Sequence, residues 1–162
     1  MFYVARTNQY LYENVGFRLE DTNYANTWLN TSTPEEKEAL GVVEVVAVGT
    51  RADDRYYWVA ETLSGATITY TNTPKDLDEV KKNATAQINQ GAYSLLSQSD
   101  WMVIKALETA TEISAPWKTW RATIRSQANA AKTTINSATD VDQVANAVKV
   151  IWAQDPNAPA GE

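Results

Sequence analysis

Two stretches of this chain space acidic residues as a metal site would. Asp76-Leu77-Asp78 has a D-x-D spacing, and Asp53-Asp54 sets two carboxylates side by side. Each has a plainer explanation. Asp76 and Asp78 fall in the first turns of a helix, where the positive end of the helix dipole favours anions. Asp53 and Asp54 stand next to Arg51 and Arg55, which suits a solvated turn. Serines and lysines are plentiful, but nothing marks one pair as a nucleophile with its base. A two-carboxylate glycosidase would need an acid pair facing across a cleft, and none is identifiable. The 162 residues contain neither His nor Cys. Imidazole and thiolate catalysis is therefore closed off, as are disulfides, zinc fingers, iron–sulfur clusters and His-bound haem. The six glycines are scattered and form neither G-x-G-x-x-G nor G-x4-G-K-[ST]. The expectation is a protein that is not an enzyme, with no catalytic residue, no metal and no cofactor.

The residues with most to offer chemically lie after Pro116. Lys118, Arg121, Arg125 and Lys132 fall within about 60° of one another at 100° per residue. They flank a stripe of Trp117, Trp120, Ile124, Ala128, Ala131 and Ile135. A basic flank beside an aromatic stripe suits a helix that docks into an acidic, apolar groove. The same pattern suits a core helix whose Lys and Arg stems cover the rim of the interior. For the docking reading, the contact residues are Trp117, Lys118, Trp120, Arg121 and Arg125, because interfaces concentrate binding energy in Trp, Tyr and Arg.

The elements that must position these residues change character near Thr73-Pro74. Before it, Phe2–Ala5, Tyr10–Tyr12, Val42–Val48, Arg55–Leu63 and Ala66–Thr71 read as short strands, with Ser64-Gly65 as a hairpin turn. One short helix interrupts them, with Thr33 and Glu36 forming a capping box, Pro34 at its first position and Gly41 as its stop. After Pro74 the period becomes 3.6. Leu77, Val80, Ala84, Ile88, Ala92 and Leu95 line one face of a long helix capped by Thr73. A break at Ser97–Asp100 and an apolar segment, Trp101–Ala110, precede the helix opened by Ser114-Ala115-Pro116. Asp140 caps a last helix running to about Lys149. The fold class expected is α+β: a β-rich region over 1–72, a helical region with two long helices over 73–153, and a flexible tail over 154–162.

Net charge is −6 with a pI near 4.7, which disfavours a general nucleic-acid partner. Residues 1–113 carry nine basic against sixteen acidic side chains, whereas residues 114–153 carry five against two. No apolar run approaches the roughly 20 residues that span a bilayer, and MFYVARTNQY has no signal-peptide pattern. The expectation is a soluble protein without a membrane partner, made and folded in a cytoplasm.

Several motifs together resemble a known family. Trp28-Leu29, Thr33–Val45 (TPEEKEALGVVEV) and Asp54–Trp58 (DRYYW) resemble small proteins encoded beside tail-fibre genes of tailed phages. Asp76–Lys81, Ala92–Leu96 and Ser99-Asp100-Trp101 continue the likeness. Pro116–Arg125 (PWKTWRATIR) is similar to the W-x-x-[YW]-R-x-x-[IL]-R signature of phage tail assembly chaperones. The likeness covers most of residues 25–153, and the segment Trp101–Ser114 is longer and more apolar than the family's link. The resemblance implies an ATP-independent tail-fibre assembly chaperone that shields a tail fibre or neighbouring tail protein during virion morphogenesis. It adds Trp101 to the partner-binding residues and implies a place in the host cytoplasm during assembly. Self-association into a homo-oligomer, retention in the virion tail and a role as a structural tail component are left open by it.

Overall fold

Successive side chains of a strand point to opposite faces, and in the first strand one of those faces is buried. In the computed structural model, which describes residues 1–157, β1 (Phe2–Val4) buries Phe2 and Val4 and leaves Tyr3 half-exposed. It is the central strand of a three-stranded sheet, antiparallel to β2 (Gln9–Leu11) and to β5 (Val42–Glu44). A hairpin of β3 (Phe17–Leu19) and β4 (Thr22–Tyr24) and the short helix α1 (Trp28–Thr31) complete this core. Phe2, Val4, Leu11, Leu19, Leu29 and Val42 form its buried centre. Phe17, Tyr24 and Trp28 pack their rings together at its margin, 4.9–5.7 Å between centroids. Helix α2 (Pro34–Ala39) carries the expected capping box: Thr33 N–H donates to Glu36 Oε2 at 2.8 Å, and Glu36 N–H donates to Thr33 Oγ1 at 3.2 Å.

The stretch Val42–Val48 is two strands rather than one. β5 ends at Glu44, and β6 (Val46–Val48) runs parallel to β8 (Thr67–Pro74) in a second sheet ordered β6-β8-β7. β7 (Tyr57–Ser64) and β8 are joined by Gly65-Ala66, one residue later than the turn expected, with Gly65 at φ +55°. The β3–β4 hairpin and α1 escaped the sequence reading. Their turn puts Glu20 at φ +52°, so no Asn-Gly or Asp-Gly signal marks it.

A second compact unit begins at Pro74. Helix α3 (Leu77–Ser97) is capped by Asp76, whose Oδ1 accepts from Glu79 N–H at 2.9 Å; Thr73 is not the cap because β8 continues to Pro74. The apolar Trp101–Ala110 segment is helix α4 (Asp100–Thr109). Helix α5 (Ala115–Ser137) packs against α3 and against α6 (Val141–Ala147), which Asp140 caps. Val80, Ala84, Ile88 and Ala92 of α3 meet Trp120, Ile124, Ala128, Ala131 and Ile135 of α5 in this core, with Val141 and Val144 of α6 beside them. The architecture is α+β, and no helix among the described residues is long and apolar enough to cross a membrane.

The last described stretch is tied to the helices. Ala153 N–H donates to Gln127 Oε1, Gln127 Nε2 donates to the Ile151 carbonyl, and Trp120 Nε1 donates to the Ala153 carbonyl at 2.9 Å. The Trp152 ring lies over Gly91, where an added Cβ would sit 3.3 Å from the indole. Of the tail expected to be flexible, residues 158–162 lie outside the described residues.

Candidate partner-binding surface

Helix α4 breaks the usual rule for an amphipathic helix. Its sequence, DWMVIKALET, places Trp101, Met102, Val103, Ile104, Ala106 and Leu107 on all sides of ten residues. A helix apolar all round normally lies in an interior. None of α4's residues is buried. Met102, Val103 and Ala106 are half-covered on its inner side. On the outer side Trp101, Ile104 and Leu107 are 55%, 57% and 81% exposed. Single exposed apolar residues are ordinary, but three on successive turns of one helix form a contiguous patch.

Two shallow grooves adjoin this patch. One, of about 260 Å³, runs between Trp101, Met102, Lys105 and Ala106 of α4, the Thr111–Ser114 link, and Trp117. The other, of about 350 Å³, lies past Val103, Leu107 and Ala110 towards Ile113 and Lys118. Ala110 ends α4 in the left-handed conformation at φ +51°, which turns the chain directly into the floor of both grooves. Lys118 Nζ donates to Glu112 Oε2 at 2.6 Å across that floor. The hydrogen bond and the lysine's charge hold the Glu112 carboxyl below its ordinary range. Lys105 Nζ lies 6.0 Å from the centre of the Trp101 ring. The grooves thus offer apolar and aromatic walls, with charge confined to Lys105, Glu112 and Lys118.

The structure divides the expected contact residues into two groups. Trp101, Trp117 and Lys118 line the grooves, and Arg125 is exposed on α5. Trp120 and Arg121 are interior, 5% and 6% exposed, and present no surface to a partner. Trp120 is turned inwards because its indole N–H reaches the Ala153 carbonyl, while its ring meets Trp117 edge-on at 5.4 Å. Arg121 is interior because acceptors wait for it there. Nη1 donates to the Leu96 carbonyl at 2.9 Å and to Ser99 Oγ, and Nη2 donates to Asp100 Oδ1 at 2.7 Å. For these two residues, the core alternative describes the fold.

Ile104, Leu107, Met102 and Ile113 were missed as candidates. The signal was present: the apolar residues of WMVIKAL spread all round the helix, so no orientation hides all of them. A second apolar surface, Val46 and Val48 on β6, is also exposed. Among the described residues no group of three His, Cys, Asp or Glu side chains gathers to hold a metal ion.

Neither protein-family models, nor curated proteins, nor solved structures give a match to this chain.

Proposed function

We propose that this chain is an ATP-independent assembly chaperone that binds a phage tail fibre or neighbouring tail protein, with the outer face of α4 and its flanking grooves as the contact surface. The observation that carries the reading is α4 itself, with Trp101, Ile104 and Leu107 exposed on its outer side and no residue fully buried. Apolar surface left in water is a standing cost, and a partner that covers it gains roughly 25 cal/mol per Å². A tail fibre before trimerisation exposes complementary apolar strands and edges, which aggregate unless shielded. Holding such a surface requires no nucleophile, metal or nucleotide. The similarity of PWKTWRATIR to the tail-assembly signature supports the same partner class, and in this fold that segment supplies one wall of a groove through Trp117.

The test is co-expression of this chain with the tail proteins of its phage. One of them should gain soluble yield and co-purify, and Ile104→Gln with Leu107→Gln should abolish the gain. If no tail protein gains solubility, the chaperone reading fails. Stoichiometric recovery of the chain from purified virions, measured by mass spectrometry, would instead make it a structural tail component.

A further inference from the structure

Ser99 and Arg121 are the buried polar side chains of the described residues, and each is the other's partner. Their shared location is the joint between α3 and α4. α3 ends at Ser97 and α4 begins at Asp100, so only two residues set the change of direction. The Leu96 carbonyl, left without a helical partner by this break, accepts from Ser99 N–H, from Ser99 Oγ and from Arg121 Nη1. The other guanidinium nitrogen holds Asp100, the first residue of α4. One planar group on α5 therefore grips the end of one helix, the joint and the start of the next. α4 has no fully buried residue, and only the partly covered Met102, Val103 and Ala106 on its inner side hold its angle by packing.

We propose that Arg121 is a positioning residue, which sets the direction in which α4 and its exposed apolar face project. Apolar packing is non-directional and would let a half-covered helix roll or swing. A planar fork with fixed donor directions does not. Buried ionic groups are poor sources of stability against apolar replacements of similar size, and their best-attested use is to select one arrangement. Arg121 fits that use, since all three of its acceptors belong to the α3–α4 joint. The geometry stands alone; its consequence for binding rests on the reading of α4 as the contact surface.

The absence of native cysteine allows clean distance measurement in the full chain. Glu108→Cys on α4 and Asn129→Cys on α5, both exposed, would carry nitroxide labels for pulsed electron paramagnetic resonance. With Arg121 present, a single narrow distance distribution is expected. Arg121→Met fills similar volume without the fork, and should give a broad or multi-peaked distribution while helical circular dichroism is retained. Ser99→Ala with Asp100→Asn should broaden it too, leaving Arg121 in place should Arg121→Met fail to fold. An unmoved distribution in the folded variants, whatever happens to melting temperature, overturns the proposal and makes Arg121 an ordinary interior residue. If the native chain captures no tail protein yet Arg121→Met still broadens the distribution, the positioning role stands and the binding reading alone falls.

Discussion

Replacing Ile104 and Leu107 together by Gln asks whether the outer face of α4 contributes to folding. Ile104 is 57% exposed and Leu107 81%, so only the remaining 43% and 19% of each is covered. Complete burial of such a side chain contributes about 1.5–3 kcal/mol, which scales to about 1 kcal/mol for Ile104 and about 0.5 for Leu107. Gln keeps part of the aliphatic stem and is a better helix former than Ile by a few tenths of a kcal/mol. The net loss should be no more than about 1 kcal/mol, or roughly 4–8 °C in Tm for a unit of this size. Ile124→Ala is the comparator. Ile124 is fully enclosed in the α3–α5 core, and its truncation should cost about 2–5 kcal/mol. Thermal unfolding followed by far-ultraviolet circular dichroism would read both, at two protein concentrations tenfold apart. A loss in the double variant equal to that of Ile124→Ala would refute the reasoning. So would a concentration-dependent Tm in the parent that disappears in the variant, because a second copy would then be covering the face.

Three further outcomes follow from local geometry. Thr33→Ala removes the acceptor for Glu36 N–H and should destabilise α2 by about 1 kcal/mol, seen as faster amide exchange over residues 34–40. Ala110→Gly relieves an alanine held at φ +51° and should stabilise the end of α4 by up to about 1 kcal/mol, measured by urea denaturation. Glu112 has a lowered pKa in the folded chain, so its pairing with Lys118 is present above the ordinary glutamate pKa and is lost as pH falls through the folded value. A carboxyl-detected NMR titration should therefore find Glu112 below the ordinary range, and Lys118→Ala should return it there.

The features legible in the sequence are those fixed by neighbours along the chain. A capping box needs only Thr33 and Glu36 three residues apart, and the structure forms it. The long helices declare themselves because Val80, Ala84, Ile88 and Ala92, or Ile124, Ala128, Ala131 and Ile135, repeat at the period that one buried face requires. The α+β division follows from the same logic, as a period of two gives way to 3.6.

What the chain could not declare alone is where a partner from elsewhere in the sequence would meet it. Val42–Val48 reads as one strand because all of it is β-prone, yet β1 claims Val42–Glu44 and β8 claims Val46–Val48. The run Trp101–Leu107 is apolar wherever one looks, and its lack of a covering layer is a property of the packed helices around it. Arg121 and Arg125 differ by only about 40° around their helix, so periodicity gives both a rim position. Arg121 is interior because the end of α3 brings the Leu96 carbonyl, Ser99 and Asp100 against it. Arg125, one turn on, meets none of these acceptors and stays in water. A buried charge is tolerated only where fixed partners replace its water, and those partners lie 21–25 residues away in the sequence.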